Sequence, residues 1–186
     1  MEKKLTLDTV YKASYVLKEV VRPTDVIFAP KLCPGAELYL KTENLQVTGS
    51  FKVRGAYYKM SQLSAQEKAK GVVACSAGNH AQGVALAAQK NGIPAVICLP
   101  DGAPISKVEA TRSYGAEICM VKGVYDDAYN KALQLRDEKG YTFIHPFDDP
   151  AIMAGQGTIG LEILDQLEDV DVIVTAIGGG GLISGI

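Results

Sequence analysis

The sequence predicts an α/β fold built on a parallel sheet, and three observations carry that expectation. Apolar runs of strand length recur from Gly71 onward, at 72–75, 95–99, 117–121, 141–144 and 170–176. Helical patterns separate them at about 81–90, 106–114, 125–139 and 151–167. Three of those helices stop just before Gly92, Gly115 and Gly140, each where a left-handed residue closes a helix. Strands alternating with helices of this length imply right-handed crossovers and a sheet covered on both faces.

The chain upstream is less regular. Val10, Ser14, Leu17 and Val21 fall on or near one face at helical spacing, with Asp8 or Thr9 as the expected cap. Arg22-Pro23-Thr24 ends that helix, because proline disfavours the helical conformation in the residue before it. The stretch 29–35 reads as loop and 37–41 as a short strand, and Gly49 breaks the segment after it. A second helix is expected from Lys52 to about Leu63, burying Val53, Ala56, Tyr57 and Met60.

Composition narrows the function classes. With 186 residues, 47% hydrophobic and 22% charged, the chain has the make-up of an ordinary globular protein. A net charge of -2 leaves no electrostatic footprint for nucleic acid or an anionic membrane, so neither partner is expected. Met1-Glu2-Lys3-Lys4-Leu5-Thr6 leads into mixed polar sequence, not an apolar signal core. Cys33, Cys75, Cys98 and Cys119 form no CxxC pair, and three of them sit in strand-like runs. Reduced thiols, no metal site and a cytoplasmic location are the expectations.

In an open parallel sheet, ligands bind outside the carboxyl ends of the strands, so the strand-to-helix turns are where chemistry belongs. One such turn, Ser76-Ala77-Gly78-Asn79-His80-Ala81-Gln82-Gly83, brings a hydroxyl, an amide, an imidazole and backbone N–H groups to a helix start. A capped helix with a satisfied histidine would account for the same residues. Another, Gly178-Gly179-Gly180-Gly181-Leu182, comes directly after an apolar run and lets backbone N–H groups converge on a phosphate. It is not a dinucleotide fingerprint: counted from Gly178 the third glycine position holds Ile183, and counted from Gly179 it holds Ser184. A third stretch, Thr48-Gly49-Ser50-Phe51-Lys52-Val53-Arg54-Gly55, sets a lysine beside an aromatic ring at a helix start. Most such lysines are solvated, but one kept partly from water has a lowered pKa and attacks carbonyls.

Together these stretches resemble the fold type II (β-family) pyridoxal-phosphate enzymes. Glu43-Asn44-Leu45-Gln46 with 48–56 is similar to the family's lysine motif, 76–83 to its substrate-carboxylate loop and 178–182 to its phosphate loop. His145-Pro146-Phe147-Asp148 and Gly155-Gln156-Gly157-Thr158 point within the family to the threonine dehydratases. The resemblance runs in order from about Leu38 to the end. Upstream, Arg22-Pro23-Thr24-Asp25 departs from the Arg-Thr-Pro-Leu-like segment usual there.

The resemblance implies a role for each of these stretches. Lys52 would hold pyridoxal phosphate through its amine and later take the substrate's Cα proton. Phe51 would lie against the pyridine ring, and Asn79 would bond the ring's 3-hydroxyl oxygen. Ser76, Ala77, Gly78, Asn79 and His80 would hold the amino acid's carboxylate, and Gly178, Gly179, Gly180, Gly181 and Leu182 the phosphate. The reaction implied is β-elimination of L-threonine, and of L-serine, to the 2-oxoacid and ammonia, in threonine catabolism or isoleucine biosynthesis. Serine racemases resemble the chain too, but they carry a second catalytic serine where this chain has Ala77. Two lobes are implied, a larger one of 1–70 with 150–186 and a smaller one of 71–149, with the cofactor between them. The parallel-sheet architecture is expected to stop just after the glycine loop, short of the family's pyridine-nitrogen partner. The chain then reads as the N-terminal part of an enzyme, homo-oligomeric at full length, or as a remnant that binds the cofactor weakly or not at all.

Overall fold

A computed structural model describes residues 4–186; the polar start at Met1, Glu2 and Lys3 lies outside the described residues. Its centre is a four-stranded parallel sheet of β3 (Val72–Cys75), β4 (Ala95–Pro100), β5 (Glu117–Val121) and β6 (Thr142–Phe143), in the order β5-β4-β3-β6. Helices α4 (Asn79–Asn91), α5 (Ile105–Ser113) and α6 (Tyr125–Lys139) connect these strands. Both faces are covered, as the apolar runs require. Val72, Ala74, Ile97 and Leu99 meet the core shared with α4, while Val73, Cys75, Val96 and Cys98 meet Ala128 and Ala132 of α6. Cys75 and Cys98 are buried, Cys119 is half-buried, and all three are free thiols on neighbouring strands. Gly92, Gly115 and Gly140 have φ of +64, +83 and +69, as expected of helix-closing glycines.

The remaining elements flank this sheet. They are α1 (Leu7–Leu17), an antiparallel pair β1 (Val26–Phe28) and β2 (Tyr39–Lys41), and a 3₁₀ turn at Glu43–Leu45. After them come α2 (Lys52–Ser61), α3 (Ala65–Lys70), α7 (Pro150–Gln166) and α8 (Gly181–Gly185). Val10, Ala13 and Leu17 of α1 pack with Tyr58 of α2 and with Ala151 and Ala154 of α7. Burying these side chains gains ~1.5–3 kcal/mol for each large one. No helix among the described residues is long and apolar enough to cross a membrane.

Three expectations are corrected, and two elements were not anticipated. Thr6, not Asp8 or Thr9, caps α1: its hydroxyl accepts from Thr9 N (3.3 Å) while the Thr9 hydroxyl accepts from Thr6 N (3.0 Å). Asp8 is already inside the first turn, paired with Lys12 at 2.7 Å. The run 170–176 is not a strand, because no strand among the described residues offers it a ladder; Val172 and Val174 remain 76% and 88% exposed. The run 141–144 keeps only two paired residues, although Ile144 N still donates to Val73 O at 2.9 Å. Finally, β1 and α3 have no counterpart in the sequence pattern, the first for its three residues and the second for its weakly apolar AQEKAK sequence.

Candidate functional site

The lysine stretch is held from behind. Gln46, 3% exposed, clamps the backbone of Arg22, accepting from Arg22 N (2.8 Å) and donating to Arg22 O (2.7 Å). Gly49 then turns the chain at φ +71, a conformation a side chain would strain. The result is that Phe51 ends the turn and Lys52 opens α2. The Lys52 Nζ donates to Pro146 O at 2.7 Å and lies 5.4 Å from the Phe51 ring centroid. Among the described residues no carboxylate pairs with it, and burial pulls its pKa below the ordinary 10.5. This is a half-buried amine with a neutral acceptor, surroundings that favour the uncharged, nucleophilic form over the ammonium.

Strand β3 delivers the second loop. Ser76 N still donates to Cys98 O (3.2 Å), and the Ser76 hydroxyl then accepts from Gly78 N (3.2 Å), turning the chain into α4. Asn79 is exposed and its Oδ1 accepts from Lys107 Nζ at 3.3 Å. His80 points the other way: it is 4% exposed, and its Nε2 bonds Ile144 O at 2.9 Å. Burial holds its pKa down at about 4, so the ring is neutral and its Nε2–H donates. A carboxylate at this loop would therefore meet the Ser76 hydroxyl, the Asn79 amide and first-turn N–H groups, not the His80 ring.

Sheet order explains why a third segment joins these two. Strand β3 lies between β4 and β6, so the chain leaves β3 toward one neighbour and returns beside it on the other. Such a switch point opens a crevice at the carboxyl ends, and residues 144–149 leave β6 there. Ile144 O receives His80, Pro146 O receives Lys52, and Asp149 both caps α7 through Ala151 N (2.8 Å) and pairs with Lys59 (2.5 Å).

The glycine loop rests on that same segment. A methyl built on Gly181 would lie 2.7 Å from Phe147 O, and one on Gly179 would fall inside the Phe147 ring. Gly178 and Gly180 face open space, and among the described residues the N–H groups of Gly178, Gly179 and Gly180 donate to no protein acceptor. Leu182 comes next in α8, which is seated on α7 where Gly157 meets Gly185. Three unpaired N–H groups in a space that side chains would fill suit a phosphate. With the half-buried Lys52 amine bonded to Pro146 O, one residue before Phe147, these residues fit pyridoxal phosphate.

The contacts therefore connect Lys52, the His80 loop and the glycine loop through 144–149. Two contributors lay beyond sequence reasoning. The Pro146 carbonyl is backbone and leaves no residue-type signal. Gly83 brings α4 onto the start of α2, where a methyl would lie 2.9 Å from Lys52 C. A glycine inside a helix was the available clue, since it costs ~1 kcal/mol against alanine unless something packs closely.

Known proteins resemble this chain over most of its length. The family described as pyridoxal-phosphate dependent enzyme matches residues 17–186. The L-threonine ammonia-lyase of Thermotoga maritima is 53% identical over 184 residues, 98% of this chain and 46% of that protein. The catabolic L-threonine dehydratase of Escherichia coli K12 is 54% identical over 154 residues, 83% of this chain and 46% of that protein. Among solved structures, maize serine racemase superposes with a TM-score of 0.94 at 37% identity, covering 98% of this chain and 56% of its own. Threonine deaminase isoform 2 from Solanum lycopersicum gives 0.90 at 40% identity, covering 100% and 53%. The chain thus spans about half the length of the curated relatives it matches.

Proposed function

This chain belongs to the pyridoxal-phosphate dependent enzymes, and on that premise we propose that it serves β-elimination of L-threonine, and of L-serine, to the 2-oxoacid and ammonia. The observation that carries the reading is the Lys52 amine, half-buried, with no carboxylate partner among the described residues and 2.7 Å from the carbonyl of Pro146, whose neighbour Phe147 packs against the glycine loop. Relatives named for threonine deamination, above 50% identical, support the choice of substrate.

Lys52 would hold the cofactor, with Phe51 against its ring, Asn79 near its hydroxyl and Gly178 to Leu182 around its phosphate. Bound there, pyridoxal phosphate supplies the electron sink that makes a Cα carbanion accessible. The protein's share is orientation, exclusion of water and the proton. Ser76, Asn79 and the loop amides, with Ala77 and Gly78 giving the carboxylate room, would fix the amino acid. The Lys52 amine would take the Cα proton, the β-hydroxyl would leave with a proton as water, and water would hydrolyse the released enamine to the 2-oxoacid and ammonia. Ala77 offers no group to move a proton on the opposite face, which favours elimination over racemisation although serine racemases share the fold. The cofactor would sit between a larger lobe of 1–70 with 150–186 and a smaller one of 71–149.

The test supplies pyridoxal phosphate and monitors 2-oxobutanoate from L-threonine, with pyruvate and D-serine from L-serine. Oxoacid in excess of D-serine supports elimination, and D-serine without oxoacid overturns it.

A further inference from the structure

The segment that joins the three motifs carries an inference resting on the cofactor reading above. His145 accepts two N–H groups of its own turn on Nδ1, from Phe147 N at 3.3 Å and Asp148 N at 2.7 Å. Those bonds fold the chain back and bring the His145 ring edge-on to Phe147, with centroids 4.6 Å apart and planes at 88°. The glycine loop also packs closely against Phe147. Any side chain at Gly179 would enter the ring, and one at Gly181 would meet the Phe147 backbone at 2.7–2.9 Å. One residue earlier, Pro146 O holds the Lys52 amine at 2.7 Å. The glycine loop has little other support at its start, because 170–176 joins no sheet among the described residues.

We propose that Phe147 is a positioning residue: packed against both the His145 ring and Gly179, it sets the glycine loop at the distance from Lys52 that a phosphate-bearing aldehyde spans. In this role Phe147 needs no contact of its own with the reacting atoms or the phosphate. It acts through the loop, so its effect should fall on the phosphate and not on the aldehyde. Pyridoxal, the same aldehyde without the phosphate, separates the two.

The experiment titrates the full chain with pyridoxal phosphate and with pyridoxal, reading the visible band and the binding isotherm. For Phe147→Ala the expectation is a loss of about tenfold or more in affinity for pyridoxal phosphate, with pyridoxal changed by less than about threefold. Equal losses for both aldehydes, or none, would overturn the proposal. Should circular dichroism show Phe147→Ala unfolded, Phe147→Leu keeps an apolar side chain and carries the same comparison. A double-mutant cycle gives an independent reading. Gly179→Ala alone drives its methyl into the ring and should weaken pyridoxal phosphate binding. Combining it with Phe147→Ala should restore part of that loss, whereas additive losses refute the contact. If the parent chain binds neither aldehyde, the cofactor reading itself falls. That outcome differs visibly from a parent that binds and variants that bind as well as it does.

Discussion

At the scale of single residues, the chemistry turns on what Lys52 and His80 are bonded to. Lys52 donates to a carbonyl, so nothing anionic holds its proton in place, and burial favours the neutral amine. Lys52→Arg keeps the charge and most of the length but cannot deprotonate. The expected outcome is a folded protein, within about 1 kcal/mol of the parent by urea unfolding, that gives no covalent adduct when pyridoxal phosphate is added and reduced with borohydride. An adduct of equal yield, located elsewhere by peptide mass mapping, would remove Lys52 from its role. His80 makes a stability prediction. Its folded pKa, about 4, lies below the unfolded value near 6.5, so between those values the unfolded chain takes up a proton that the native state refuses. The stability carried by neutral His80 is complete above about pH 6.5 and drains away as pH falls to about 4, by about 3 kcal/mol at most. Urea midpoints across that range should show the loss, and His80→Asn should flatten it; an unchanged slope would mean the ring is hydrated. Residue identity at the lysine was legible because its neighbours have distinctive types. What Lys52 and His80 bond was not, because both acceptors, Pro146 O and Ile144 O, are backbone atoms presented by the chain beyond β6.

At the scale of elements, glycines set how closely the helices around the site approach. α2 is pressed from one side by α4 through Gly83 and from the other by α7 through Gly155, where a methyl would lie 2.7 Å from Arg54 O. Gly55 answers from α2, its N–H donating to Gln156 Oε1 at 3.1 Å. Gly83→Ala would force α4 off the backbone of Lys52 and Val53, a shift expected to cost about 1–3 kcal/mol and to lower cofactor affinity with it. Gly102→Ala, at a position with nothing within 4 Å, is the matched control and should change neither. Thermal midpoints and the cofactor band measure both effects together; a neutral Gly83→Ala would show that the helices can slide. Periodicity and end signals located α2, α4, α5, α6 and α7 to within a few residues. They failed at 170–176, whose apolar run has strand composition but no neighbour among the described residues to complete a ladder. They also failed at the start of α1, where a reciprocal Thr6–Thr9 box outcompetes the acidic residue between them. Composition identifies a strand former; only a partner makes a strand.

At the scale of the whole molecule, one buried cation ties the sequence-distant parts together. Arg54, two residues past Lys52 and 0% exposed, forks onto Glu43 (2.9 and 2.7 Å) and onto Glu162 (2.5 and 3.0 Å), and also reaches the Thr158 hydroxyl at 3.1 Å. Around it Thr24 donates to Glu43 at 2.6 Å, and Lys41 pairs with Glu162 at 2.7 Å while also donating to Gln166 at 2.8 Å. The network thus joins the turn after α1, the β1–β2 pair, α2 and α7. Burial works against the guanidinium, but the bonds it donates to Glu43 and Glu162, with their charges, outweigh it and keep its pKa raised. Burial likewise opposes the Glu162 carboxylate, and Arg54 reverses that, holding it below its usual range. Such a network is poor evidence of net stability, since a well-packed apolar replacement of the whole can match it; removing one partner is what costs, by about 3–5 kcal/mol. Arg54→Met is therefore expected to lose a few kcal/mol in urea unfolding, because it strands Glu43 and Glu162 in a partly dry site. Arg54→Met combined with Glu43→Gln and Glu162→Gln removes the stranded charges and should recover part of that loss. If the triple variant is no more stable than Arg54→Met alone, the penalty was packing and not charge. If Arg54→Met loses less than about 1 kcal/mol, water already reaches the pair. The same substitution should weaken cofactor capture at Lys52 more than Gly102→Ala does, since Arg54 fixes the turn of helix that presents the amine.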